Sequence, residues 1–320
     1  MNESQQNQIS APHDGEMDLR ELFHVLWAGK WLIASITFSA AVIAVIVALM
    51  LPNIYRAEAL LAPNDQKGAG GLSALATQFG GLASLAGIDL SSGSADETVL
   101  GLEVLKSIKF ISEFIERHDI LISLIAVKRW DAEAGQLIID ADDYDTAAKK
   151  WVRDVSPPKK TIPSLQEAYE EFTDILSVEQ DKNTGFVTIA VEHYSPTVAK
   201  QWVDWLVDDL NSSSMLQDVA EAEQAIEYLN EQINSTSVAN LQNVFFSLIE
   251  EQTRTVMLAQ VSEEYLFRTL DPAVEKEKHA SPKRALIAVL GLLGGGGIGV
   301  LFVLFWRPTN DKKKHGKHQT

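Results

Sequence analysis

The chain has no cysteine. Thiol nucleophiles, thiolate metal sites and a disulfide scaffold are therefore excluded. An oxidising compartment permits disulfides without requiring them in a domain this large, so the absence is compatible with a periplasm and decides nothing. There is no G-x-x-x-x-G-K-[ST] stretch, and so no P-loop. The histidines (His13, His24, His118, His193, His279, His315, His318) are scattered, and no pair stands at ligand spacing with a carboxylate. His118 and His193 read as ordinary polar residues at the ends of a helix and a strand. Asp140, Asp142, Asp143 and Asp145 resemble a calcium loop only superficially. The EF-hand template wants Gly and Glu where this chain has Asp145 and Trp151, so a solvated loop is expected. No catalytic, metal or cofactor-binding constellation emerges, and neither enzyme activity nor a cofactor is expected.

What is present is two long uncharged apolar runs. Trp31 to Leu51 is 21 residues and Ala285 to Trp306 is 22. A hydrocarbon core of about 30 Å needs about 20 helical residues, so both runs are long enough to span. The first starts too far into the chain and runs too long for a cleavable signal, and is read as an uncleaved anchor. Between the runs lie residues 52–284, enough for a core of their own. They hold 20 of the 27 basic and 38 of the 44 acidic residues, a net charge of −18. Such an acidic domain is not built to neutralise phosphates, and no nucleic-acid partner is expected. The tail, residues 307–320, carries Arg307, Lys312, Lys313, Lys314 and Lys317 against Asp311 alone. The preference of basic residues for the cytoplasmic side places it, and with it residues 1–30, in the cytoplasm. Lys283 and Arg284 lie on the unfavoured side of the second run.

The expected layout is thus an α+β periplasmic domain with a long projecting helix, flanked by two transmembrane helices. Its parts are a cytoplasmic segment (1–30), transmembrane helix 1 (31–51), the periplasmic domain (52–284), transmembrane helix 2 (285–306) and a basic cytoplasmic tail (307–320). Leu19, Leu22, Phe23 and Leu26 suggest a short amphipathic helix before the first span. Ile54 to Pro63 reads as a strand, and the alternation in residues 175–193, with a turn at Asn183–Gly185, reads as a hairpin. Residues 66–93 are rich in Gly, Ala and Ser and fit either a mobile loop or a small-residue helix against a neighbour. An amphipathic helix is expected from Ala95 to about Ile120, a short helix over 166–174, and irregular chain over 140–165. Ser195 and Pro196 open a helix that runs to about Glu263, with breaks admitted near Asn211–Ser214 and Asn234–Ser237. A stripe from Ile226 to Leu258 runs along it. Unbroken it would reach about 100 Å, so it must project or pack against copies of itself. Trp202 and Trp205 could stack sugars, but at one-turn spacing they suit covering a sheet better. Tyr265 to Pro272 reads as a returning strand.

The strongest local pattern lies in the second run. Gly291, Gly295 and Gly299 recur every fourth residue and share one helix face, and the first run offers Ala40, Ala44 and Ala48 at the same spacing. Small residues let two backbones approach closely in lipid, so these faces are expected to pack together.

The stretch DPAVEKEKHASPKRALIAVLGLLGGGGIG resembles the C-terminal signature of the polysaccharide co-polymerases, the Wzz-type chain-length determinants. Pro272 stands where the family has its first proline, although the prolines that usually follow are replaced around Glu275 to His279. Ser281-Pro282-Lys283 is followed after eleven residues by Gly295 and after three more by Gly299. DLRELFHVLWAGKW before the first run, YRAEALL after it, and SLIEEQT (Ser247 to Thr253) are similar to the family as well. The resemblance implies a homo-oligomeric ring in the bacterial inner membrane that sets how far a lipid-linked polysaccharide, above all lipopolysaccharide O-antigen, is extended by its polymerase. Glu250, Glu251 and Arg254 on the long helix become candidates for an oligomer or modulating face. The alternative in the same resemblance is a co-polymerase of capsule or exopolysaccharide export, or an adaptor that activates a separate cytoplasmic tyrosine kinase through the basic tail.

Overall fold

The computed structural model describes residues 26–64, 93–235 and 238–305. The helix expected before the first span and the Gly/Ala/Ser-rich segment fall almost wholly outside them, as does the basic tail. The chain divides into two compact units, residues 1–52 with 282–320, and residues 53–281.

In chain order the elements are α1 (Lys30–Met50), β1 (Tyr55–Pro63), α2 (Gly93–Lys106), α3 (Ile108–Arg117), α4 (Leu121–Ile125), β2 (Val127–Asp131), β3 (Gln136–Ile139), β4 (Tyr144–Asp145), β5 (Lys150–Trp151), α5 (Leu165–Ile175), β6 (Leu176–Gln180), β7 (Val187–His193), α6 (Pro196–Ser235), α7 (Ala239–Val261), β8 (Phe267–Asp271) and α8 (Arg284–Phe305). This is the mixed helix-and-strand architecture expected, with a long helix and an apolar helix near each end of the chain.

The second unit is built on a four-stranded antiparallel sheet ordered β6-β7-β1-β8. β1 is a central strand, with Tyr55 opposite His193 and Leu61 opposite Val187. Alternation along β1 and β7 sends Ala57, Ala59, Leu61, Val187, Ile189 and Val191 to one buried face. The hairpin turn between β6 and β7 is closed by Asp181, whose carboxylate accepts the Asn183 amide at 2.8 Å, and by Gly185 at φ +75°. That left-handed conformation is open to glycine at no steric cost. Backbone donors, led by Asn183, hold the Asp181 carboxyl below the usual range.

α6 covers the buried face. Ala199, Trp202, Val203, Leu206, Val207 and Leu210 recur at steps of 3 and 4, and all are buried. Trp202 packs on Phe172 and His193, which is the sheet-covering role expected of it. Trp205 stacks on His118 at 4.2 Å, and His118 also meets Asp209 at 3.0 Å. Phe110, Ile111, Phe114 and Ile115 of α3, and Phe172 of α5, complete the core.

Three expectations are corrected. The helix from Ala95 is two helices, because Ser107 leaves helical geometry at ψ 146° and its hydroxyl accepts the Phe110 amide, so it caps α3. Residues 140–165 are not wholly irregular. The Asp140 and Asp145 carboxylates cap tight turns, and β4 pairs with β5. Arg153 grips Glu167 through two hydrogen bonds, at 2.9 and 3.0 Å, and holds the Glu167 carboxyl below its ordinary value. The long helix does not break at Asn211–Ser214. It continues to Ser235, and α7 runs back along it from Ala239. Antiparallel pairing follows from Met215 and Val219 facing Ala259 and Val261 near one end, and Ile233 accepting from Gln242 near the other. The overlong helix thus finds its partner in its own chain. Ala222, Leu229 and Ala259 fill the seam, while Leu241 and Leu248 of the expected stripe stand exposed.

Candidate functional site

Of the residues singled out by sequence, Gly291 and Gly295 of α8 meet Ala44 and Ala40 of α1 in the first unit. Both helices are long and apolar enough to cross a membrane. They lie antiparallel, as the contacts of α8's glycines establish. A Cβ built on Gly291 would collide with the Ala44 side chain, one on Gly295 would lie 2.5 Å from Ala40 Cβ and 3.2 Å from Thr37 Cα, and one on Gly299 would lie 3.2 Å from Ile33 Cα. Each four-residue step along α8 therefore retreats one turn along α1. The glycines are not spacers here. They are the absence of side chain that lets two backbones touch, which in lipid is the main source of helix–helix attraction. Gly295 and Gly299 are buried, whereas neighbouring Leu292, Leu293 and Ile298 are exposed, as residues facing hydrocarbon would be.

The interface extends past the residues read from sequence. Thr37 and Ile33 continue the small-residue face of α1 on the side away from Ala48. Thr37 satisfies its hydroxyl by donating to the Ile33 carbonyl at 2.8 Å, so it exposes little polarity. At the same end Gly29 abuts Val303, whose Cγ1 would lie 2.7 Å from a Cβ there. Spacing alone pointed only to alanines, because Ile33 is not a small residue and meets Gly299 through both its backbone and its Cγ2. Ala48 is buried at the other end, where its carbonyl accepts from Arg284 Nε at 3.2 Å.

The Ser281-Pro282-Lys283 triplet sits where the two units meet in sequence. Ser281 pairs with Ile54, accepting the Ile54 amide at 3.0 Å. The Lys283 carbonyl accepts the Leu286 and Ile287 amides, so Lys283 caps α8 and Pro282 precedes it outside the helix. Pro272 follows β8 and is exposed. Glu250 and Arg254 are exposed on α7 and Glu251 is half-buried there; none of them meets the α1–α8 residues in a shared site.

Lys276 Nζ bonds the Glu58 carboxylate and, with Arg56, keeps it below the usual carboxylate range. Among the described residues no group of three or more His, Cys, Asp or Glu could hold a metal ion.

An α+β unit with two apolar, tightly paired end helices defines the class: a candidate two-span membrane protein. Residues 15–118 match the family model described as Wzz, chain length determinant protein, the family that the sequence resembles. Among solved structures it is similar to one titled full-length bacterial polysaccharide co-polymerase, at 16% identity and TM-score 0.39, covering 93% of this chain and 100% of that one. It is similar also to a fragment of WzzB, polysaccharide co-polymerase from Salmonella Typhimurium, at 12% identity and TM-score 0.28, covering 72% of this chain and 100% of that one. No curated protein matches.

Proposed function

We propose that this chain is a non-enzymatic regulator of polysaccharide length, acting on lipopolysaccharide O-antigen as a homo-oligomer in the bacterial inner membrane. The observation that carries the reading is the Wzz family match in a chain whose two apolar helices pack through small residues. In this reading residues 31–51 and 285–306 span, residues 52–284 are periplasmic, and residues 1–30 and 307–320 are cytoplasmic. The partners are other copies of the chain, the O-antigen polymerase and its lipid-linked polysaccharide. The Gly291, Gly295 and Gly299 face with Ala40, Ala44 and Ala48 holds the spans, Pro272 and Ser281 to Lys283 lead into the second, and Glu250, Glu251 and Arg254 offer a charged outer surface on the helical hairpin for a neighbour. Regulation through shape needs no reacting group.

Deletion of the gene followed by gel analysis of lipopolysaccharide tests the reading. Loss of a preferred O-antigen length, restored by the intact chain, is expected. A ladder unchanged by deletion would reject the O-antigen role.

A further inference from the structure

We propose that Arg284 is a positioning residue: it supplies the hydrogen bond that Pro52 withholds from Ala48, and so fixes the register in which the two apolar helices pack. The inference rests on reading those helices as paired spans. Near the end of α1 the ladder is still intact at Val47, whose carbonyl accepts the Leu51 amide at 3.2 Å. The next carbonyl, that of Ala48, would take its bond from residue 52. Residue 52 is proline and has no N–H to give. Proline also drives the residue before it out of helical geometry, and Leu51 is extended at ψ 134°. Ala48 is 2% exposed, so its carbonyl has poor access to water, and a buried acceptor left unpaired is costly. Arg284 Nε fills the gap at 3.2 Å, reaching across from the first residue of α8.

Two general preferences argue against an arginine at this position. A cation at the start of a helix opposes that helix's own dipole. A basic residue at this end of the span also runs against the side assigned by the basic tail. Both are overridden by one specific bond, and the same cation is favourable at the C-terminus of the neighbouring helix. Because Ala48 faces Arg284 only when Ala44 faces Gly291 and Ala40 faces Gly295, the bond selects that alignment over a one-turn slip.

The chain is free of cysteine, so one introduced pair reports cleanly. A Cβ at Gly296 lies 3.7 Å from Thr37 Oγ1, which makes Thr37→Cys with Gly296→Cys a suitable pair. Disulfide formation under a mild oxidant is measured on the full chain in native membranes. Arg284→Ala should slow it about tenfold, as expected for loss of a charge-assisted bond of about 1.5 kcal/mol or more. Adding Pro52→Ala returns an N–H to residue 52 and should bring the double variant to within about twofold of the parent pair, a coupling that independent sites would not display. A parental rate in Arg284→Ala, or slowing that Pro52→Ala does not relieve, would overturn the proposal. A shift in tail accessibility with cross-linking unchanged would also overturn it, in favour of a purely topological role. Failure of the parent pair itself to cross-link would overturn the helix pairing as well.

Discussion

His193 carries its one proton on a nitrogen fixed by its neighbours. The Ser195 amide donates to Nδ1 at 3.1 Å, so Nε2 keeps the hydrogen and donates to the Ser123 carbonyl at 2.9 Å. Protonation would set one N–H against another, and burial already pushes the imidazole below its ordinary value of 6.5. The unfolded chain therefore binds this proton more readily than the folded one. The sign follows: stability is full above about pH 6.5 and declines as pH falls toward the lowered folded value. Denaturant unfolding followed by tryptophan fluorescence at pH 7.5 and pH 5 should show a lower midpoint at pH 5, and His193→Gln should lessen that difference. Gly295 is a second position where one atom decides. A leucine there must displace Ala40 and the Thr37 backbone, at about 1–3 kcal/mol for overpacking. It adds apolar surface, so insertion should survive. Gly295→Leu is expected to stay in the membrane fraction on alkaline extraction while the O-antigen length distribution is lost, and a normal distribution would contradict the packing role.

Asn211 lies where the sequence admits a break in α6 and the structure has none. In sequence it stands in Asn-Ser-Ser-Ser, four poor helix formers in a row, and so it invited a break. In the structure it lies under β8. Its carbonyl oxygen accepts the amides of Leu266 and Phe267, each at 2.8 Å, and its amide donates to the Phe267 carbonyl at 3.1 Å. Three backbone groups at the entry to the edge strand, two of Phe267 and one of the preceding Leu266, thus depend on one side chain of the helix. Asn211→Ala strands them, and a loss of about 2–4 kcal/mol is expected in the midpoint of urea unfolding. The same contrast accounts for what was legible. Apolar spans, the β6–β7 hairpin and the glycine spacing rest on local periodicity and turn chemistry, which a sequence displays directly. The antiparallel return of α7 rests on residues far apart in the chain coming together, such as Met215 and Val219 with Ala259. No period encodes that. Arg284 was visible only as a charge on the unfavoured side, because its partner is a backbone carbonyl made needy by a proline elsewhere.

The molecule draws its stability from two kinds of packing with different physics. Residues 53–281 bury apolar side chains away from water, in a core of Leu61, Ile111, Phe114, Phe172, Trp202 and Leu206 among others. The α1–α8 pair is packed by close backbone approach, with the Arg284 bond to Ala48 at one end, and in a bilayer, as proposed, it would gain little from burial away from water. Each unit's contacts are overwhelmingly its own, so damage should stay where it is made. Two variants put this to the test in the full chain, each scored by two readouts. Asn211→Ala should lower the unfolding midpoint seen by tryptophan fluorescence, yet leave disulfide formation between cysteines at positions 37 and 296 near the parental rate. Replacing Gly291 by leucine should do the reverse, slowing that disulfide because Ala44 blocks the added side chain, while the midpoint moves by less than about 0.5 kcal/mol. If either variant shifted both readouts together, the two packings would be one cooperative structure. The proposed length control would then belong to a transition that both units undergo at once, and not to residues 53–281 acting beside an independently packed helix pair.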